Sequence, residues 1–352
     1  MRRTTTGIAL ALLLGGLAAC GSDDDADDAD ANAPAATGDQ NGDQTGDVSG
    51  GAPAVDGLVI VPSARGVSES VAAVQSALMG NDAVNVLPLV DHAANAAGAG
   101  LALPPTELLL FGNPSLGSQL MAVEPLAGLD LPQKLLAWED EGGTVRVAYN
   151  AADHVAARHG IEGADEALAG IDTALAGLAA TAAGTADGGG DEEGGDDADA
   201  TDPGEDGASA GDGTTTVTAG QGVMTLVSER DFQSTYDALV QAIGSDDNPL
   251  SVIAEVDHGA AAAGVGVDLG PLRLVVFGNS AAGTPLMQSA RTVAIDLPQK
   301  MLVSEDADGA VTIAWNDPAY LAARHGITDR DEAIATISGA LSGLASAAAT
   351  AP

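Results

Sequence analysis

The chain has 352 residues, of which 51 are acidic and 12 are basic, so its formal net charge near pH 7 is −39. A chain this acidic lacks the basic face that nucleic acids require, and acidic lipid head groups would repel it. Cys20 is the only cysteine, which excludes an internal disulfide and a thiolate metal site.

The N-terminus has the pattern of an export signal. Two arginines follow Met1, an apolar run extends from Gly7 to Leu17, and Cys20 follows two alanines. The apolar run is shorter than the roughly 20 residues that cross a bilayer, which predicts a cleaved signal peptide over residues 1–19. Residues 17–20 resemble the lipobox of bacterial lipoproteins. This resemblance implies lipid attachment to Cys20 and acylation of its amine, enough for stable anchoring.

Lipid attachment predicts a protein of the cell envelope that faces outside the cytoplasm, with membrane lipid as a partner. Gly21 and Ser22 follow Cys20. In Gram-negative lipoproteins an Asp directly after the cysteine resembles an inner-membrane retention signal, and this chain has Gly21 at that position. The sequence therefore favours the outer membrane if the organism has one.

Two segments differ from the rest of the chain in composition. Residues 20–56 contain ten Asp and residues 183–220 contain eleven acidic side chains, and neither segment contains a Lys or Arg. Such segments cannot bury enough apolar surface to offset the entropy of the chain. We therefore expect residues 20–56 to be a disordered tether and residues 183–220 a disordered linker. The aspartates lack the spacing of a calcium-binding loop, so we prefer solvated segments to a calcium site.

The chain repeats itself at a constant offset of 166 residues. Four blocks recur in the same order: Asp91-His92 as Asp257-His258, Phe111-Gly112-Asn113 as Phe277-Gly278-Asn279, Asp130 to Lys134 as Asp296 to Lys300, and Arg158 to Ile161 as Arg324 to Ile327. Each copy, over residues 57–182 and 221–350, is long enough to bury a core of its own. The repeat therefore predicts two copies of one domain.

Each copy has the pattern of a small α+β domain. In the first copy the predicted elements are a strand over 58–61, a helix from Val67 to Leu78, a strand over 84–90, a short Ala/Gly-rich helix, a strand over 107–111, a hairpin of strands 134–139 and 144–149, a helix beginning near Asn150, and a closing helix. The closing helix has apolar residues at helical spacing, at Leu168, Ile171, Leu175 and Leu178. This stripe is expected to face the core.

The repeated motifs resemble a known family, the domain of unknown function 302 family. The stretches that carry the resemblance are Asp257 to Gly264, Leu274 to Asn279, Thr284 to Met287, Asp296 to Pro298 and Asn316 to Gly326. The resemblance as a whole covers nearly all of both folded segments. The resemblance implies a compact domain of strand, helix, four strands and helix, sometimes in tandem, and it implies no established reaction.

The two copies differ at positions within these motifs. His154 replaces Tyr320, the pair Ala151-Ala152 replaces Asp317-Pro318, and Ser304 replaces Trp138. If a site involves this edge of the domain, the two copies need not be equivalent.

Six polar side chains are candidates for a ligand site, and they are His92, Asn113 and Lys134 with their counterparts His258, Asn279 and Lys300. A histidine beside a carboxylate at the end of a strand could act as a general base or bind a metal. The preferred alternative is a histidine that caps the following helix or is satisfied by the backbone. A zinc site would require the two histidines to meet across the copies, with a ligand at the junction of a pseudo-two-fold pair.

The asparagines and lysines also have structural alternatives. Either asparagine could sit beside backbone N–H groups that bind an anion, but a turn asparagine is the simpler interpretation. The two lysines are the only ones in the chain, and they could meet an anionic ligand or pair with Asp130 and Asp296, of which the structural ion pair is the preferred interpretation. These two aspartates are otherwise expected to be turn or cap residues, and the Arg-His-Gly motifs at 158–160 and 324–326 to end helices.

The sequence therefore predicts a lipid-anchored protein with two small domains that bind a small ligand or act as a scaffold. The alternative is an enzyme or metal-handling protein that uses the paired Asp-His motifs. The sequence assigns no catalytic or metal-ligating residue, because the motifs of nucleophilic elbows and zinc proteases are missing from it. The sequence identifies neither a cofactor nor a protein partner.

Overall fold

The computed structural model describes residues 54–185, 220–245 and 249–351. The predicted signal peptide, Cys20 and nearly all of the two acidic segments lie outside these residues. The first domain is described over 54–185 and the second domain over 220–351, apart from residues 246–248.

The two domains have the same order of elements, except that one strand of the second domain corresponds to two short strands of the first. The first domain contains β1 (Leu58–Ser63), α1 (Val67–Leu78), β2 (Asn85–Val86), β3 (Val90–Asp91), α2 (His92–Gly98), β4 (Thr106–Gly112), α3 (Pro114–Val123), a 3₁₀ helix (Pro125–Leu129), β5 (Gln133–Glu139), β6 (Val145–Asn150), α4 (Ala152–His159) and α5 (Asp165–Ala183). The second domain contains β7 (Val223–Val227), α6 (Phe232–Ile243), β8 (Ser251–Asp257), α7 (His258–Gly264), β9 (Leu272–Gly278), α8 (Ser280–Ser289), a 3₁₀ helix (Arg291–Ile295), β10 (Gln299–Glu305), β11 (Val311–Asn316), α9 (Pro318–Arg324) and α10 (Asp331–Ala349).

Each domain contains one antiparallel sheet. The strand order is β1-β6-β5-β4-β2 in the first domain, where β3 also pairs with β4, and β7-β11-β10-β9-β8 in the second. The prediction of two similar α+β domains is confirmed. The helix between β4 and β5, and the 3₁₀ helix that follows it, were not predicted from the sequence.

The prediction of one continuous strand over residues 84–90 is wrong. The structure has two short strands there, β2 and β3, with Pro88 between them. Proline has no N–H group to donate to a sheet, so it interrupts the pairing. In the second domain Ala254 takes the equivalent place, and β8 runs unbroken with one register shift between Val252 and Ala254.

Both faces of each sheet are buried. Along β4, Leu109 lies in one apolar cluster with Leu175 of the domain's own closing helix. Its neighbour Leu108 points to the opposite face and lies in a second cluster with Ile295, from the 3₁₀ helix of the second domain. Successive side chains of a strand point to opposite faces, so this alternation shows that the second domain covers the face left open by α1 and α5.

The coverage is reciprocal. The 3₁₀ helix of the first domain contacts β9, β10 and β11, and that of the second domain contacts β4 and β5. Helix α2 contacts α8 in the same way that α7 contacts α3. The described parts of the two domains thus share their apolar clusters.

The sequence differences at the start of α4 are accommodated locally. In the second domain the Asp317 side chain accepts a hydrogen bond from Ala319 N at 3.0 Å and caps α9. Ala151 cannot do this for α4, and there Asp172 Oδ1 of the closing helix accepts from Ala152 N at 2.8 Å.

His154 and Tyr320 each lie over a glycine with positive φ. A Cβ on Gly57 would lie 2.0 Å from His154 Cγ, and one on Gly222 would lie 2.1 Å from Tyr320 Cγ. Only glycine combines that backbone conformation with so close an approach.

Among the described residues, α10 is long and apolar enough to cross a membrane, by length and composition alone. Its residues Ile337, Leu341 and Ala348 are buried in the apolar cluster of the second domain. This burial is typical of a core helix in a folded domain.

Candidate functional site

A buried ionic cluster lies where the two domains meet, and its first half is centred on Asp130. This aspartate follows the 3₁₀ helix and is 4% exposed. Arg158 Nη1 donates to its Oδ2 at 2.7 Å, and His159 Nε2 lies 2.8 Å from the same oxygen. Burial acts to raise the pKa of Asp130, but the Arg158 guanidinium and the hydrogen bond from His159 hold it well below its usual range.

The second half of the ionic cluster repeats this geometry around Asp296. Arg324 Nη1 donates to Asp296 Oδ2 at 2.9 Å, and His325 Nε2 lies 2.8 Å from that oxygen. The pKa of Asp296 is again well below its usual range, because Arg324 and the His325 hydrogen bond outweigh the effect of burial. Burial lowers the pKa of His325, although its bond to Asp296 opposes the shift.

Each arginine also binds the opposite domain. Arg158 Nη2 donates to Asn316 Oδ1 at 2.8 Å, and Arg324 Nη2 donates to Asn150 Oδ1 at 2.8 Å. The guanidinium of Arg158 further lies 4.9 Å from the centre of the Tyr320 ring. The fixed fork of a guanidinium suits this simultaneous binding of a carboxylate and an amide oxygen.

The two lysines predicted for a ligand site lie in the ionic cluster. Lys134 Nζ is 3.8 Å from Asp130 Oδ1 and 3.8 Å from Asp296 Oδ1, and it has no hydrogen-bond partner among the described residues. Lys300 Nζ instead donates to the carbonyl oxygens of Asp296 and Pro298, at 2.9 and 3.3 Å. Burial and the nearby Lys134 charge lower the pKa of Lys300 to about 7.

The two histidines of the Asp-His motifs reach across the junction to different places. His258 Nε2 lies 3.1 Å from the carbonyl oxygen of Gly128, in the first domain. His92 lies beside the carbonyl groups of Ala294 and Leu297, in the second domain. Burial lowers the pKa of each imidazole to about 4, so both are neutral near pH 7.

The carboxylates and asparagines of the repeated motifs cap helices. Asp91 and Asp257 each accept a hydrogen bond from the backbone three residues later at 2.8 Å. Asn113 and Asn279 likewise accept from the backbone two residues later at 2.9 Å. These are ordinary N-cap bonds. Among the residues that the structure describes, no group of three or more His, Cys, Asp or Glu side chains could hold a metal ion.

A cavity of about 370 Å³ lies between helices α1, α3 and α5 of the first domain and the start of α7 in the second. Its walls are mostly apolar, and include Leu78, Phe111, Met121, Leu175 and Val256. Pockets of about 300–1,000 Å³ with apolar walls and a few polar groups are typical sites for small molecules.

A small set of polar groups lines this cavity, among them Asn113, Ser118, Gln133 and His258. Ser118 is 1% exposed, and its Oγ has no hydrogen-bond partner among the described residues. Thr284, its counterpart in the second domain, is also buried without a partner but is not part of this cavity wall. Of the described residues that form the wall, none carries a charge.

A profile of the domain of unknown function DUF302 matches this chain twice, over residues 59–178 and 224–344. The chain belongs to the DUF302 family.

Two kinds of relative are similar to parts of this tandem DUF302 chain. The fluoride-specific ion channel FluC 1 of Brucella suis is 46% identical over 107 residues, which are 30% of this chain and 41% of that protein. FluC 1 of Brucella abortus is also 46% identical over 107 residues, and these are 38% of its length. The chain thus spans about two-fifths of the curated relatives it matches. The crystal structure of an uncharacterized conserved DUF302 protein from Bacillus stearothermophilus has 20% identity and a TM-score of 0.33, covering 36% of this chain and 98% of that one.

The DUF302 fold separates the six predicted site residues. Asn113 and His258, one from each domain, line the cavity. Lys134 and Lys300 lie in the ionic cluster, and His92 and Asn279 do not line the cavity. The six side chains therefore do not converge on one pocket.

Sequence reasoning missed the residues at the centre of the junction. The sequence predicts Asp130 and Asp296 to be turn or cap residues or to pair with the two lysines, and Arg158 and His159 to end a helix. The four residues do occupy those places in the chain, and they also form the buried ionic cluster. Of the two predicted ion pairs, Lys134 Nζ lies 3.8 Å from Asp130 Oδ1, whereas Lys300 Nζ donates to backbone carbonyl oxygens. One signal was available: Asp-Leu-Pro-Gln-Lys and Arg-His-Gly recur unchanged in both copies.

Proposed function

We propose that this tandem DUF302 chain is a lipid-anchored protein outside the cytoplasm that binds a small apolar ligand in the cavity of its first domain. The cavity is the observation that carries the proposal. It is bounded by apolar side chains of α1, α3 and α5, and two of the polar side chains picked out by sequence, Asn113 and His258, meet in its wall. A ligand there would gain from removing its apolar surface from water, at about 25 cal/mol per Å².

The ionic cluster supports an architectural role for the rest of the repeated motifs. The charges of Asp130 and Asp296 are paired with Arg158 and Arg324, which also bind amide oxygens of the opposite domain. A cluster of this kind fixes how two surfaces meet, because any other pairing would leave buried charges unpaired. Binding in the cavity therefore depends on the junction without requiring chemistry from it.

Calorimetric titration of the purified full chain with 1-octanol tests the binding proposal. The protein carries Cys20→Ser, so that no acyl chain of its own can enter the cavity. Gly117 lines the cavity, and a Cβ added there would lie 3.5 Å from Leu131 Cδ1, an ordinary contact distance. We therefore expect Gly117→Leu to fill the cavity and to lower the affinity at least tenfold.

The matched control is Gly283→Leu, at the equivalent position of the second domain, where a Cβ would lie 3.5 Å from Leu297 Cδ1. This substitution should leave the affinity unchanged. Ala174→Leu, at another lining position that is exposed, gives a second way to obstruct the cavity if Gly117→Leu does not fold. The proposal fails if 1-octanol, octanoate and n-octylamine all give no binding heat, or if Gly283→Leu weakens binding as much as Gly117→Leu.

The anchoring proposal is tested in cells by labelling with radioactive palmitate and by membrane fractionation. We expect label on the wild-type chain and its recovery with membranes, and we expect Cys20→Ser to lose both. Equal membrane recovery of the two chains would contradict lipid anchoring through Cys20.

A further inference from the structure

We infer that the ligand of the first-domain cavity is an electrically neutral molecule of roughly ten heavy atoms, with an apolar body and one hydroxyl or carbonyl group that hydrogen bonds to Ser118. This inference rests on the proposed function and names the chemical class of the ligand. Three properties of the cavity wall support it: the described wall residues include no charged side chain, the histidine is neutral, and the hydroxyl of Ser118 has no partner among the described residues.

The first property is that the described wall residues supply no charge to a bound ion. Lys134 follows Gln133, which lines the cavity, but the Lys134 side chain points into the ionic cluster between Asp130 and Asp296. A carboxylate or ammonium group buried against apolar side chains without an opposite charge is strongly disfavoured. A charged ligand would therefore have to keep its head group in water.

The second property is that His258 does not provide a cation. Its Nε2 is directed at the carbonyl oxygen of Gly128, at 3.1 Å, which suits the N–H of a neutral imidazole. The ring is 4% exposed, and burial lowers its pKa to about 4. At pH 7 the histidine is thus a neutral part of the wall.

The third property is the unsatisfied hydroxyl of Ser118. The other polar group that sequence placed here, Asn113, already uses its Oδ1 as the cap of α3. Ser118 Oγ is buried in the wall and has no partner among the described residues. A hydroxyl both donates and accepts, so a ligand alcohol, ketone or aldehyde can satisfy it. Its counterpart Thr284 Oγ1 is also without a partner among the described residues, but of these two side chains only Ser118 lines the cavity, where a ligand can supply that partner.

Calorimetry at pH 7 with 1-octanol, 2-octanone, octanoate and n-octylamine tests this inference, because the four probes share an eight-carbon chain and differ in the head group. Each is titrated into the Cys20→Ser full chain. We expect the alcohol and the ketone to bind at least tenfold more tightly than the anion and the cation. Gly117→Leu should abolish this preference together with the binding itself, and Gly283→Leu should preserve both.

Ser118→Ala tests the polar contact. We expect this variant to bind 1-octanol roughly fivefold more weakly, with no loss of thermal stability, because the substitution removes a hydroxyl that has no partner in the ligand-free protein. Ser118→Thr, which restores the hydroxyl and copies Thr284 of the second domain, should bind 1-octanol within about twofold of the parent.

The outcomes separate this inference from the proposed function. If octanoate or n-octylamine binds as tightly as 1-octanol and Gly117→Leu abolishes that binding, the cavity is a binding site and its ligand is not restricted to neutral molecules. An unchanged affinity in Ser118→Ala overturns the assigned contact. Absence of binding by all four probes overturns the proposed function, and this inference with it.

Discussion

Asp130 and Asp296 are the two residues on which the junction depends most. Both are at most 4% exposed, and each pairs with an arginine and a histidine of its own domain. A buried carboxylate is tolerated only when it is paired and hydrogen bonded. Removing one partner costs more than the pair itself contributes, since the remaining charge stays buried.

We predict that Asp130→Asn lowers the free energy of unfolding by about 3–5 kcal/mol, because the charge of Arg158 loses its anion and Lys134 keeps only Asp296. Urea denaturation followed by circular dichroism measures this. The control is Asp140→Asn, whose ion pair with Arg146 at 2.9 Å is at the surface. The control should lose no more than about 1 kcal/mol. Equal losses of unfolding free energy in the two variants would mean that the buried ion pairs of the junction stabilise the protein no more than a surface ion pair does.

At the scale of elements, the starts of α4 and α9 show that the two copies cap equivalent helices with different residues. The second domain caps α9 with the aspartate that directly precedes it, Asp317. The first domain has Ala151 at that position and takes a carboxylate from the next helix, Asp172. The bonded groups also differ: Ala152 N bonds a carboxylate 20 residues later, whereas its counterpart Pro318 has no N–H and the bond in the second domain comes from Ala319 N.

We predict that Asp172→Ala destabilises the protein by about 1 kcal/mol, the usual cost of losing an N-cap. Adding Ala151→Asp should restore most of the loss, since that residue would cap α4 as Asp317 caps α9. The thermal midpoints of the two single variants and the double variant provide the measurement. If Asp172→Ala alone is as stable as the parent, the bond from Ala152 N does not stabilise α4, and if the double variant is no more stable than Asp172→Ala, an aspartate at position 151 does not replace that bond.

At the scale of the whole molecule, the buried histidines make stability depend on pH. Burial is the main cause that lowers the pKa of His92, His154 and His258 to about 4, whereas an unfolded histidine titrates near 6.5. Between these values the unfolded chain binds more protons than the folded chain. The free energy of unfolding therefore decreases as the pH falls from about 6.5 to about 4.

We predict a loss on the order of 2 kcal/mol or more between pH 7.5 and pH 4.5, measured by urea denaturation at both pH values. A His92→Gln/His258→Gln variant should show a weaker dependence, because two of the three imidazoles whose pKa is about 4 are gone. The same urea midpoint for the parent chain at both pH values would contradict neutral buried histidines.

The two domains and most of their elements could be predicted from the internal repeat. The contacts at the junction between the domains could not be predicted from local sequence patterns. Asp130 binds a residue 28 positions away, and Arg158 binds Asn316 across 158 positions. Contacts between residues so far apart in the chain produce no periodic pattern in the sequence. The strand break was visible at Pro88, but the apolar run around it dominated the prediction. The cavity arises from the packing of several elements, and no single motif encodes it.

Joining the two copies in one chain has a consequence for how each can change. In a dimer of identical chains every substitution occurs twice, so a change that improves one half is also imposed on the other. Here the interruption at Pro88, next to the cavity residue Leu87, occurs in one copy, while Ala254 keeps the matching strand unbroken. Joining the copies thus lets the two halves differ around the cavity while both keep the residues of the shared junction.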